Sequence, residues 1–301
     1  MFDRVILSEE ILDCRGEVVA ARGTVLSADS IEEAARRAPV RSRIVLEDTP
    51  LAADVDVPLF EPIYRHLFEG EAVRDTVRRA VLAVRLPEPL FDELLAMRRA
   101  ASPIHAHAFV AAAVAVRMLL SAVGPSRAIP ELAAAALLHD LGMRHLPARV
   151  FRQRERLGTS DALRIASHPL IGAYHLATVL GNHPAVAAAR CHHWRCGQGY
   201  PALERAPSRS IEVIAVASAF AALTQPRPFR QDAYDARGAS DVLADEAVRR
   251  NADANTVKLL VHALRGGRGD PRAIRFGKPR EGHGPDVHHY VHVSAPARSP
   301  V

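Results

Sequence analysis

The apolar run AAAALL at 133–138 ends directly in His139-Asp140, and this join constrains the fold more than any other stretch. Pro130 suits the first position of a helix and Gly142 suits the end of one. The His-Asp pair then falls at the closing turn of a buried helix and faces the interior. Two polar side chains there are costly unless something compensates them. Imidazole with carboxylate is a ligand pair for divalent transition metals, so a cation would supply that compensation. Taken alone, the dipeptide reads equally well as a core histidine bonded to a nearby acid.

Further histidines follow at His168-Pro169 and His192-His193, with Gly199-Tyr200-Pro201 after them. Four histidines and one aspartate, all in or beside helical segments, make a ligand set for a two-metal site. The blocks HDLG (139–142), HPLIG (168–172), HH (192–193), GQGYP (197–201) and ALTQPRPFR (222–230) resemble the HD-GYP family, the cyclic di-GMP phosphodiesterase branch of the HD phosphohydrolases. The resemblance covers roughly residues 100–265. It implies a mainly α fold, a helical HD-GYP bundle. It implies that Asp140 is catalytic and bridges the metals, while His139, His168, His192 and His193 complete their shells. The cofactor would be one or two divalent transition-metal ions, iron or manganese. Gly199, Tyr200 and Pro201 would line the substrate site, and Arg227 and Arg230 would bind the phosphates of the dinucleotide. His107 matches a family histidine that serves an additional metal. Pro103 stands where the family has a glutamate, so no third ion is expected, and His107 reads equally as a site residue or as a polar group at a helix start.

The departures bear on activity. Met143 occupies the position of the lysine that follows His-Asp-Leu-Gly in the family. Trp194 replaces a glutamate, and Cys196-Gly197 replaces Asp-Gly. Ser218 stands where the family has a metal-binding aspartate, and Ala221 stands at the position of a second aspartate. The resemblance therefore implies a metal-dependent phosphohydrolase that converts cyclic di-GMP to the linear dinucleotide or GMP, weakened by Met143 and Ser218. The alternative is a catalytically inactive domain, a cyclic di-GMP or nucleotide sensor or a protein-interaction module in bacterial signalling. A third reading is another HD-type nucleotide phosphohydrolase with one metal at His139, Asp140 and nearby histidines.

Of the 301 residues, 49% are hydrophobic and only 5% aromatic, which favours close-packed alanine-rich helices. The net charge of +5 is spread along the chain and points to no specific nucleic acid. Three cysteines, Cys14, Cys191 and Cys196, form no disulfide framework and suit a reduced, cytoplasmic protein. Cys191 and Cys196 flank the histidine pair but fit no zinc spacing. The apolar stretch 108–120 contains Arg117 and reads as too short to cross a membrane. Beyond the nucleotide, the partners to consider are a signalling protein and a second copy of the chain.

In order, residues 1–48 read as a small mixed α/β segment, with strands at 4–7 and 17–20 and a helix at 31–37 opened by Ser27-Ala28-Asp29-Ser30. Residues 49–99 read as a linker (49–60) followed by helices at 71–84 and 89–99. Residues 100–265 form the HD-GYP-like helical domain. Its helices are expected at 102–122, 130–141, 159–167, 168–180, 185–193, 211–224, 240–249 and 254–265, with a loop containing one short helix at 143–158 and a loop at 194–209. His183 is expected in an exposed turn. Residues 266–301 are rich in Gly, Pro, Arg and His and are expected to be a disordered tail.

Overall fold

A computed structural model describes residues 2–147, 149–150, 158–227 and 232–277. The architecture is mainly helical, with small two-stranded antiparallel pairs. At the N-terminus, β1 (Val5–Ile6) pairs with β4 (Val25–Leu26), and β2 (Ile11–Leu12) pairs with β3 (Val18–Ala20). Alternation along these strands turns Ile11, Ala20 and Leu26 inward and leaves Ile6, Leu12, Val18 and Val25 exposed. Ser27 then caps α1 (Ala28–Arg37). Its hydroxyl accepts from the Ser30 amide, and the Ser30 hydroxyl accepts from the Ser27 amide, which satisfies two otherwise unpaired donors.

The stretch that composition assigned to a linker is structured. Ala52–Val55 is a 3-10 turn leading into α2 (Asp56–Phe60), and Leu51, Val55 and Leu59 are buried in the core. The alternation of Asp and Val there is the signature of a short turn with one face inward rather than of a spacer. Next come α3 (Glu71–Leu82), β6 (Arg85–Leu86) paired with β5 (Ile44–Val45), and α4 (Glu88–Ala100).

Helix α5 (Ser102–Val123) is the central column. It packs on α3, α4, α6 (Ile129–Leu138), α9 (Arg209–Thr224) and α11 (Ala254–Leu264). Alanines on nearly every face let these neighbours approach closely. At 22 residues, α5 is longer than its apolar stretch suggested, and by length and composition it could cross a membrane. Most of it is buried inside the protein, however, and its one charge, Arg117, is buried too: the guanidinium donates to Leu67 O at 2.9 Å and to Ser121. It serves as the core helix of the bundle.

The two helices expected at 159–167 and 168–180 are one, α7 (Thr159–Leu180), which runs through Pro169. After it, α8 (Pro184–Cys191) is capped by His183, whose Nδ1 accepts from the Ala185 amide at 3.1 Å. His183 is thus buried rather than exposed, with Nε2 3.0 Å from Glu131. The expected loop 194–209 begins with a hairpin, β7 (Trp194–Arg195) and β8 (Gln198–Gly199), whose tip Cys196-Gly197 has positive φ at both residues. This two-residue turn matches the twist of paired strands. The bundle closes with α10 (Ala236–Val248) and α11. Of the segment expected to lack structure, residues 266–277 include a 3-10 turn, Pro271–Ala273, held to α11 by Lys258 and His262. Residues 278–301, with His283, His288, His289 and His292, lie outside the described residues.

Candidate metal centre

Two glycines bring the first ligand pair together. A Cβ on Gly142 would stand 2.0 Å from His168 O, and one on Gly172 would stand 2.8 Å from Gly142 N. Only glycine at both points lets the turn after Asp140 lie directly on the α7 backbone. That contact sets Asp140 beside His168. The hairpin does the same for the histidine pair: Gly199, at φ +89°, leaves room for His193 O, which a Cβ would approach to 2.0 Å.

The orientation of each ring follows from a free carbonyl. Pro169 has no N–H to give to Ile165 O in the helical ladder. That oxygen instead accepts from His168 Nδ1 at 2.6 Å. The last turns of α6 and α8 also have carbonyls without helical donors. Ala136 O accepts from His139 Nδ1 at 2.6 Å, and Ala189 O accepts from His192 Nδ1 at 2.9 Å. A carbonyl can only accept, so in all three rings Nδ1 carries a proton and Nε2 points into the site, where a neutral ring offers a lone pair.

These lone pairs converge on Asp140. His168 Nε2 and His192 Nε2 each lie 3.2 Å from Asp140 Oδ1, and 3.1 Å from each other. His139 Nε2 and His107 Nε2 lie 3.5 and 3.6 Å from Oδ2. The potential ligand atoms fall into two groups that share Asp140, one with His168, His192 and His193 and the other with His107 and His139. Burial pushes His192 down to about 4, and burial together with Arg227 pushes His107 down to about 3. His193 is held well below the ordinary histidine value by burial and by His192 and His168. These rings are therefore neutral at pH 7.

The two groups differ in their members. In the first, two imidazole nitrogens and a carboxylate oxygen lie within 3.2 Å of one another, and a divalent cation is a natural partner for such a set. In the second, the Ser218 hydroxyl lies 3.1 Å from His139 Nε2 and 3.2 Å from His107 Nε2. Arg227 lies 3.3 Å from His107 Nδ1 and can donate to it. Gln225 Oε1, which can only accept, lies closer to the same nitrogen, at 3.1 Å, so His107 carries its proton on Nε2 if Arg227 is its partner and on Nδ1 if Gln225 is. Either way the single Ser218 proton reaches one of the two rings. The residues fit a metal in the first group, while the second has Ser218 at its centre and shares Asp140 as its acid.

The remaining residues singled out in the sequence are placed as follows. Tyr200 stacks on His193, with ring centroids 4.4 Å apart and planes 22° apart. Pro201 is buried, and the next amide, Ala202 N–H, donates to Phe2 O at 2.8 Å, tying this loop to the N-terminal segment. Met143 packs against the core, where it offers no polar group to the site. His107 and Arg227 are both at the cluster, whereas Arg230 lies outside the described residues. Gln225, quoted in the sequence only as part of a block, lies with Oε1 3.1 Å from His107 Nδ1. Its place between Thr224 and the Pro226-Arg227 turn was its only signal.

A family model described as "HD domain" matches residues 89–255, more than half of the chain. The chain belongs to the HD-domain family. This HD domain is similar to the 3'3'-cGAMP-specific phosphodiesterase 1 of Vibrio cholerae, 39% identical over 100 residues, 31% of this chain and 22% of that protein. It is also similar to the cyclic di-GMP phosphodiesterase PdeB of Borreliella burgdorferi, 25% identical over 138 residues, 44% of this chain and 36% of that protein. The chain thus spans about a fifth to a third of the length of these curated relatives. Among solved structures, it shares a TM-score of 0.45 and 15% identity with Bd1817, an HDG"Y"P protein from Bdellovibrio bacteriovorus, over 79% of this chain and 78% of that one. The corresponding values for the HD domain of the L. monocytogenes phosphodiesterase PgpH, in complex with cyclic-di-AMP, are 0.42 and 16%, over 58% of this chain and 94% of that one.

Proposed function

We propose that this HD domain is a phosphodiesterase of cyclic dinucleotides, with cyclic di-GMP as substrate, working with one divalent metal ion, iron or manganese. The observation that carries the reading is the convergence of the His168 and His192 lone pairs on Asp140 Oδ1, a buried set of acceptors that calls for a cation. The names of both curated relatives agree with a cyclic dinucleotide as substrate. Asp140, His168, His192 and His193 hold the ion, which when bound lowers the pKa of a water and polarises a phosphate oxygen. Arg227 receives the phosphate, as a guanidinium fork suits that task. Tyr200 holds His193 in place by stacking. Met143 has no proton to give a leaving oxygen, so turnover is slow. Met143 and Ser218 also favour a second reading, a sensor that binds the dinucleotide without cleaving it.

One set of measurements separates these readings. Protein loaded with manganese or iron(II) is assayed with cyclic di-GMP, and bound metal is counted by mass spectrometry. The enzyme reading requires a linear product that disappears in Asp140→Ala; tight binding without product selects the sensor. The wild type is expected to hold about one ion per chain, and Ser218→Asp, which supplies the missing carboxylate, about two. About two ions in the wild type would overturn the single-metal reading.

A further inference from the structure

A cavity of about 460 Å³ lies between α10, α11 and the segment 274–277 that follows the Pro271–Ala273 turn. No residue of the Asp140 cluster is among those that line it. Its floor is a row on α10. Ala236, Ser240, Ala244 and Val248 recur at every fourth position and so share one face of the helix. The small side chains of the first three leave the space that larger ones would fill. Val261 and Leu264 of α11, with Ile274, form aliphatic walls. The row is about 18 Å long at the helical rise, and Val248 at its end is 68% exposed. A volume of about 460 Å³ over that length gives a cross-section of about 25 Å², room for a single extended hydrocarbon chain.

The charges along this channel do not balance. Asp241 is held by Arg237 at 3.0 Å, and Asp245 by Arg249 at 2.9 Å. The Ser240 hydroxyl donates to Ala236 O, and His66 accepts from Arg65 at 3.3 Å. Arg265 and Arg275 line the channel too, and neither guanidinium makes an ion pair or hydrogen bond among the described residues. The acids are thus neutralised, and two cations are left over beside an apolar bed. We propose that the channel binds an anionic amphiphile, an extended alkyl chain ending in a carboxylate or phosphate, with the chain along α10 and the head at Arg265 and Arg275. Guanidinium groups suit the head, because they donate in forked pairs to such anions and are weakly hydrated. The aliphatic walls suit the chain, since each methylene buried there adds about fourfold to affinity. A free fatty acid and an anionic bilayer lipid share this chemistry.

The test reads binding and needs no turnover, so the site stands or falls apart from the phosphodiesterase reading. Dodecanoate, hexanoate and dodecyltrimethylammonium, all below their micellar concentrations, are titrated by calorimetry into the full chain. The same titrations are run on the double variant Arg265→Gln/Arg275→Gln and on Val248→Asp. All three positions are exposed, so these changes leave the core alone. The wild type is expected to bind one dodecanoate per chain, with hexanoate at least about a hundredfold weaker and the cationic amphiphile about tenfold weaker. The double variant is expected to lose about tenfold for dodecanoate and nothing for the cation, and Val248→Asp to lose about tenfold for dodecanoate. Equal binding of dodecanoate and the cation, several dodecanoates per chain, or an affinity unchanged in both variants overturns the site. Vesicles separate the two sources. Sedimentation with phosphatidylglycerol vesicles but not with phosphatidylcholine vesicles, lost in the double variant, makes the ligand a bilayer lipid. Dodecanoate bound one to one with no sedimentation makes it a free acid, and neither result overturns the assignment.

Discussion

Pro169 illustrates how a single residue sets the chemistry of this centre. Inside a helix it is a defect, since it removes one ladder bond. Here the acceptor left free, Ile165 O, fixes the tautomer and direction of His168. Replacing Pro169 by Ala restores an N–H that competes for that carbonyl, and the His168 ring is then held less firmly. Loss of such an outer contact typically lowers metal affinity by about 10–100-fold. Pro169→Ala is therefore expected to weaken manganese binding by at least about tenfold while its thermal midpoint stays level or rises. Affinity equal to that of wild type in competition with a chelator would sink this account. The same residue shows where the sequence was legible and where it was not. The pairing of histidine with proline marked a ligand, but proline also suggested a helix start, because the option of a side chain taking over the orphaned carbonyl depends on three-dimensional geometry. The division of the candidate ligands into two groups, with His107 and His139 both beside Ser218, was likewise not written in spacing: His107 and Ser218 are more than a hundred positions apart.

Among the elements, the long apolar helices α5, α6 and α9 were readable from periodicity and their glycine or proline borders, because burial on most faces leaves little room for other patterns. What sequence did not show is how the turn after Asp140 is fastened. Arg144, in the turn Leu141–His145, forms a buried ion pair with Glu93 of α4 and donates to Leu12 O at 2.6 Å. Glu93 also accepts from the Cys14 amide at 2.7 Å. Burial raises the Glu93 pKa while Arg144 lowers it. These bonds, with Ala202 N–H to Phe2 O, join the N-terminal strands to both ends of the site. Such a long-range pair carries no local signal, since Glu93 sits among apolar residues on a helix that reads as ordinary amphipathic text. Removing one partner strands a buried charge. Arg144→Met is expected to lower stability by about 3 kcal/mol in urea unfolding, with Glu93→Gln in the same protein recovering part of the loss. If the double variant is no more stable than the single one, the pair is not the fastening.

The whole molecule keeps an unusual number of histidines buried and neutral, and this sets how it responds to acid. Away from the Asp140 cluster, His175 on α7 is pushed by burial down to about 4, with Arg144 acting in the same direction. His145 faces it at 3.2 Å and is held well below the ordinary value by burial and by His175. Glu93 lies 4.0 Å from His175 on the third side. His183 is also lowered, by burial, with Glu131 opposing. In the unfolded chain these rings titrate near 6.5. Below that pH the unfolded state takes up protons that the folded state refuses, so stability falls with falling pH; the contribution is fully present above 6.5 and is lost progressively as pH drops toward 4. For His175 alone the loss at pH 5 amounts to about 2 kcal/mol. Urea unfolding of the metal-free protein is therefore expected to show falling stability between pH 7.5 and pH 5. His175→Gln, which cannot take up a proton, is expected to show a shallower fall, so that its stability relative to wild type improves as the solution is acidified. Parallel curves for the two proteins over this range would mean that His175 is protonated in the folded state as readily as in the unfolded one, contrary to its burial between Glu93, Arg144 and His145.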